Sequence, residues 1–274
     1  MEYIRRARCC ALSSAPFVAP RMTLLEHVFF LLCVALAAGA QTLSGFAFGL
    51  LLLSLTSLLD IAPMQDVAIV ISMMTLANFL TVFGWRWPDL DWKRLMPVLG
   101  SSLVGVTGGL WLLHTLSGSM NVLLRILLGL TIIVCAFILV HGGAMRKTVS
   151  GPGAFASAGL VSGVLSGLFS ASGPPLVYLL YRQPLPLPTV RNFLVIALAC
   201  NAFFRLVMVA GTGELTWGIM ALSLEALPVV VGVTWLVRRY GMGRSVEAIR
   251  RLVCVLLVLS GLSLLVPGLA TLVR

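Results

Sequence analysis

Charge is the scarcest property of this chain. Its 274 residues include 19 basic and 9 acidic side chains, and the mean hydropathy is +1.06. At 10% charged residues, against about 25% in an average soluble domain, it cannot coat a water-facing globule. That excludes a soluble enzyme and a disordered chain. Cysteine supplies no framework either: Cys9 and Cys10 are adjacent, while Cys33, Cys135, Cys200 and Cys254 stand singly in apolar runs. None has metal-ligand spacing, so they read as small core residues. His27, His114 and His141 lie at separate span ends and share no motif. The chain therefore reads as a polytopic membrane protein with no cofactor, metal site or catalytic residue. Its net charge of +10 is scattered singly and in short clusters, as in cytoplasmic loops, and implies no nucleic-acid partner.

A helix crossing the hydrocarbon needs about 20 apolar residues, and eight apolar segments meet the need. Two are too long for one crossing: 33 residues without formal charge separate Glu26 from Asp60, and 34 run from Thr148 to Tyr181. The same two are rich in small residues, among them Gly39, Gln41, Ser44, Gly45 and Gly49 in the first. The second carries Gly159, Ser162, Gly163, Ser166, Gly167, Ser170, Ser172 and Gly173, then Pro174 and Pro175. Proline disfavours a continuing helix before it. A broken helix or re-entrant hairpin fits, and such backbone persists at membrane depth only where protein or a wet cavity satisfies it.

The two halves also match each other. Leu43-Ser44-Gly45 answers Leu165-Ser166-Gly167, Asn78 answers Asn201, Gly105-Val106-Thr107 answers Gly232-Val233-Thr234, and Arg125 answers Arg251. Loop charge reverses between the halves. The loop 86–94 holds three cations and its partner near Gly213 none, while the loop 114–120 holds none and its partner 238–251 five. By the positive-inside rule the second half is upside down. The expected architecture is all-α: two inverted repeats, residues 22–148 and 149–274, each a broken pair plus three spans, ten helical pieces in all. Loops around Lys93, Lys147 and Arg244 then face the cytoplasm, and Ser117 and Gly213 face outward. Residues 1–21 read as an N-terminal extension with Met22 as a candidate initiator. Arg5, Arg6, Arg8 and Arg21 run against an outward N-terminus.

From about Thr23 to its C-terminus the chain resembles the sulfite exporter TauE/SafE family of small-anion permeases. The resemblance rests on the paired glycine-rich segments. The run Gly159, Gly163, Gly167, Ser170, Ser172, Gly173, Pro174 is similar to the family's glycine pattern, with Ser170 and Ser172 in place of two glycines. Leu43 to Gly49 resembles its opening helix. The resemblance implies a bacterial inner-membrane transporter of sulfite, sulfonates or other small organic anions, commonly outward.

The candidate substrate-binding residues follow from the chemistry of an anion in a membrane. Arg205 lies near mid-span, one turn after Asn201, where a charge is a functional candidate by default. It offers a fork of donors to an oxyanion, or it snorkels to an interface or pairs with Glu225. Asn78 and Asn201 either orient the anion or tie helix ends. Gln41, Ser44, Gly45, Ser166, Ser170, Ser172 and Gly173 mark the breaks, where half-helix N-termini attract anions. Gly159, Gly163 and Gly167, four apart, fit close helix packing instead. Glu225 is a candidate proton carrier or the partner of Arg205. Two other readings stay open: a carrier of a metal cation or neutral solute, for which only Glu225 is a well-placed ligand, and an intramembrane serine protease, for which Ser170 and Ser172 have no evident histidine base.

Overall fold

The computed structural model describes residues 23–59, 61–84, 91–116, 121–140, 148–213 and 215–240, with Val255, Val258, Gly261, Leu262 and Leu265. Among them nine helices and no strand occur. They are α1 (Leu24–Ser44), α2 (Phe48–Leu58), α3 (Met64–Phe83), α4 (Trp92–Leu116), α5 (Asn121–Val140), α6 (Pro152–Phe169), α7 (Gly173–Tyr181), α8 (Leu187–Thr212) and α9 (Trp217–Tyr240). Six of them, α1, α3, α4, α6, α8 and α9, are long and apolar enough to cross a bilayer. The described residues from Val255 onward are helical, and Gly261 and Leu265 among them pack on α5, Gly261 against Gly129 and Ile133.

Local sequence sets the helix ends. Thr23 and Glu26 form a reciprocal capping box at the start of α1. Pro152 opens α6 at its first turn, where a missing N–H costs nothing. Pro63 and Pro186 occupy the N-cap positions of α3 and α8 in near-identical extended conformations.

Both overlong segments are interrupted as expected. α1 stops at Gly45, whose φ of +88° suits glycine, and α2 begins three residues later. α6 stops at Ser170, with φ +52°, and α7 begins at Gly173. The matched tripeptides mislead on register: Leu165-Ser166-Gly167 lies inside the last turn of α6, so the second break falls three residues beyond the match to Gly45. In the second pair the chain returns on itself. The Gln183 side chain, just past α7, accepts from the Ser150 backbone N–H (2.8 Å) and donates to Ser150 Oγ (2.9 Å), just before α6.

The tightest seam joins α4 to α6. Gly105 lies beside Gly163, and Gly109 beside Gly167, so contacts advance together along both chains and the helices run parallel. A Cβ on Gly163 would come within 2.8 Å of Ser102 Cα, and one on Gly105 within 2.9 Å of Gly163 Cα. Only glycine lets the backbones approach so closely. α1 and α9 are also parallel, through His27–Glu225, Gly39–Val233 and Thr42–Thr234, but with side chains between them. α3 and α8 pack together in the centre, and α8 is the most deeply enclosed span.

Candidate functional site

The two breaks meet. A Cβ on Gly49 would lie 2.7 Å from the Ser170 carbonyl oxygen, and one on Gly173 2.9 Å from the Phe46 ring. Between them, closed off by α3 and α8, is a small cavity lined by Gln41, Phe46, Gly49, Ser72, Thr75, Ser166, Ser170, Ala171, Ser172, Leu198 and Ala202. It measures about 10 Å³, room for roughly one water. Hydroxyls and one amide form its polar wall. Phe46, Leu198 and Ala202 form the apolar one.

Ser170 is the centre of the polar wall. It is the only non-glycine residue with positive φ among those described, a conformation that costs an L-residue about 1–2 kcal/mol. Two contacts hold it there: its Oγ donates to the Ala68 carbonyl on α3 (2.6 Å) and is within hydrogen-bond distance of Ser72 Oγ (2.8 Å). Ser172, the N-cap of α7, accepts at its carbonyl from Ser162 Oγ on α6.

Arg205 stands one hydroxyl behind this wall. It is 2% exposed, which overturns the snorkelling reading. Its Nη1 donates to Ser72 Oγ (3.4 Å) and its Nε to the Gly167 carbonyl (3.3 Å), in the last turn of α6. A cation at a helix C-terminus is favourable, since the terminal carbonyls carry partial negative charge. Arg191, fourteen residues earlier on the same helix, does the same for α1, donating from Nη2 to the Thr42 carbonyl (3.1 Å). One helix, α8, thus places an arginine at the C-terminus of each broken helix.

The expected pairing of Glu225 with Arg205 is contradicted. Glu225 Oε2 lies 3.1 Å from His27 Nδ1 on α1, with 42% and 34% of the two side chains exposed on the outer face of the bundle. The helical phase of α9 turns Glu225 toward α1 and away from α8.

Asn78 and Asn201 hold the same place, each the fifteenth residue of its helix counted from Met64 and Leu187. Both are buried, and neither lines the cavity. Asn78 Oδ1 accepts from Thr234 Oγ1 on α9 (3.2 Å), and Asn201 Oδ1 from Ser102 Oγ on α4 (2.7 Å). Asn201 Nδ2 is buried without a hydrogen-bond partner, an arrangement worth about 1–3 kcal/mol of desolvation.

Of the sequence candidates, Gln41, Ser166, Ser170 and Ser172 line the cavity. Gly45 and Gly173 shape the breaks, and Gly173 is packed against Phe46. Ser44 ends α1, and its side chain is outside the described ones. Sequence reasoning missed Ser72 and Thr75. Both hydroxyls also bond the carbonyl four residues back, at Ala68 and Ile71, the ordinary behaviour of a hydroxyl within a helix. Their spacing one turn apart, and one turn before Asn78, was the available signal.

α7 departs from the expected anion-binding helix end. Pro174 and Pro175 remove two of its first three N–H donors. α2, starting Phe48-Gly49-Leu50, keeps all of its own. No group of three His, Cys, Asp or Glu side chains suited to a metal ion occurs among the described residues.

Comparison with known proteins gives three concordant matches. Residues 30–264 match the family model described as Sulfite exporter TauE/SafE. The chain is 33% identical over 230 residues to the probable sulfite/organosulfonate exporter TauE of Cupriavidus necator, covering 84% of this chain and 90% of that protein. It is 29% identical over 189 residues to the probable inner membrane transporter protein TsaS of Comamonas testosteroni, covering 66% and 75%. No solved structure matches the chain.

Proposed function

Because the chain belongs to the sulfite exporter TauE/SafE family, we propose that the cavity between its two breaks binds a small oxyanion, a sulfite, sulfonate or organic carboxylate, and carries it outward. The protein is a multi-pass inner-membrane transporter and not an enzyme. The observation that supports this site is the chain of contacts Ser170–Ser72–Arg205 at the cavity wall. Hydroxyls of Ser72, Ser166, Ser170 and Ser172 and the Gln41 amide hold the oxygens. Arg205 and the α2 N-terminus supply positive charge. Asn201 Nδ2 is a buried donor beside them. Asn78 and Asn201 orient the site by joining α3 to α9 and α8 to α4.

A cavity with room for one water is too small for a sulfonate, so this conformation is the closed member of an alternating pair, and loading requires the breaks to part. Two inverted repeats, residues 22–148 and 149–274, account for that motion. Supporting this reading, α4 packs on the broken helix of the second half and α9 on that of the first, while α3 and α8 meet at the centre. Parallel α4 and α6 also agree with the loop charges, because cations precede both helices and place both starts in the cytoplasm.

The test is anion-dependent thermal stabilisation of the purified protein across sulfite, sulfoacetate, thiosulfate and aryl carboxylates, since specific ligands stabilise as RT ln(1 + [L]/Kd). Arg205→Gln is expected to weaken binding about tenfold or more. Wild-type affinity in that variant removes Arg205 from the site and leaves the α2 N-terminus as the positive element.

Glu225 serves as the coupling proton carrier in this reading, with His27 as its hydrogen-bond partner. Protonating the carboxylate alters a bond that fastens α1 to α9. Glu225→Gln is expected to abolish flux driven by a pH gradient while exchange of substrate for substrate continues. Equal loss of both, with a lowered melting temperature, would assign Glu225 to packing alone.

A further inference from the structure

The cation-rich end of α9 carries a feature that transport does not use. At 24 residues α9 is about 36 Å long, beyond the hydrocarbon thickness of roughly 30 Å, so its last turn emerges at the membrane surface. There Arg238, Arg239, Trp235 and, from the end of α3, Thr81 line an open groove of about 380 Å³. Arg238 Nη1 donates to the Val82 carbonyl (2.9 Å) and the Thr81 carbonyl (3.4 Å), which fixes that guanidinium across the α3 C-terminus. Arg239 lies 5.3 Å from the centroid of the Trp235 ring and 5.8 Å from that of Tyr240. Trp235 and Leu236, both about half exposed, continue the wall toward the bilayer core. Among the described residues the ion pairs are His27–Glu225 and Asp91–Arg94, so no described carboxylate answers either arginine of the groove.

We infer that this groove binds the phosphodiester headgroup of an anionic glycerophospholipid from the adjoining leaflet. A phosphate is the complement of two guanidiniums held at one helix end. The rings belong to the interfacial belt, and Trp235 with Leu236 offers the apolar surface on which an acyl chain lies. Basic pockets between spans on the cytoplasmic side recognise anionic headgroups by this logic. A bound lipid would bridge α9 and α3, the helices already joined by Arg238 and by Thr234–Asn78. A soluble phosphate shares the charge but lacks the chain.

The experiment uses the full protein, delipidated in neutral detergent, with melting temperature and native mass spectrometry as readouts. Phosphatidylglycerol, phosphatidylcholine and free glycerol phosphate are added separately. Phosphatidylglycerol is expected to stabilise the protein and remain bound, and the other two to do neither. Arg239→Gln, which disturbs no backbone contact, should weaken phosphatidylglycerol binding about five- to tenfold. Lys93→Gln, an exposed cation elsewhere, should leave it unchanged. Equal stabilisation by phosphatidylcholine, wild-type binding by Arg239→Gln, or an equal effect of glycerol phosphate would each overturn the assignment, the last in favour of a port for soluble anions.

Discussion

Ser170 shows how one residue is asked to do two things. Its left-handed backbone ends α6, and its hydroxyl ties that end to Ala68 and Ser72 on α3. Ser170→Ala keeps the backbone strain and discards both hydrogen bonds. Ser170→Gly discards the bonds but relieves the strain. The glycine variant should therefore be the more stable by about 1 kcal/mol, read as melting temperature in detergent. An alanine variant as stable as glycine would mean that residue 170 does not hold positive φ in the folded protein. Sequence pointed to Ser170 because it breaks the four-residue spacing of Gly159, Gly163 and Gly167. It could not point to Ser72, an unremarked hydroxyl inside an apolar run, whose importance comes from a residue 98 positions away.

Among the elements, the two parallel seams differ in kind. α4 and α6 touch backbone to backbone, while α1 and α9 touch through threonines and the His27–Glu225 pair. Gly163→Ala should destabilise the protein by about 1–3 kcal/mol through overpacking against Ser102. Gly232→Ala meets nothing within 4 Å and should be neutral or stabilising by up to about 1 kcal/mol, the helix-propensity difference. A comparison of the two melting temperatures checks this, and equal losses would contradict the seam. The pair also corrects the internal matches. Gly105 and Gly232 were aligned by sequence, yet one is sealed in a seam and the other open. The partner of Asn201 is Ser102, where the match to Thr234 pointed to Thr107. In so apolar an alphabet, identical tripeptides recur without marking equivalent positions. Asn78 and Asn201 do share one place, because each is counted from a proline that fixes its helix start.

Orientation belongs to the whole molecule. The proposed inverted arrangement puts the loops 86–94 and 238–251 on one side of the membrane and the loop 114–120 on the other. Residues 85–90, 117–120 and 241–254, with Lys147, lie outside the described ones, so chemistry rather than geometry tests them. In a background without native cysteines, Ser117→Cys and Arg244→Cys should label with an impermeant reagent from opposite sides of the membrane. Labelling from the same side would sink the inverted arrangement. Residues 1–21 and their arginines are likewise outside the described residues.

Hydropathy and small-residue content by themselves determined that this chain is a helical membrane protein, where two of its segments break, and that glycines four apart would let helices meet. Those properties are local, set by how each stretch partitions into lipid and by which residues tolerate a break or a close approach. Tertiary packing alone decided which polar groups face one another. A helix repeats every 3.6 residues, so the partner of Glu225 depends on the rotation of α9. That rotation gave Glu225 to His27 and left Arg205 to Gly167 and Ser72. The cavity, too, is a product of contacts between segments more than 90 residues apart, and no window of sequence contains it.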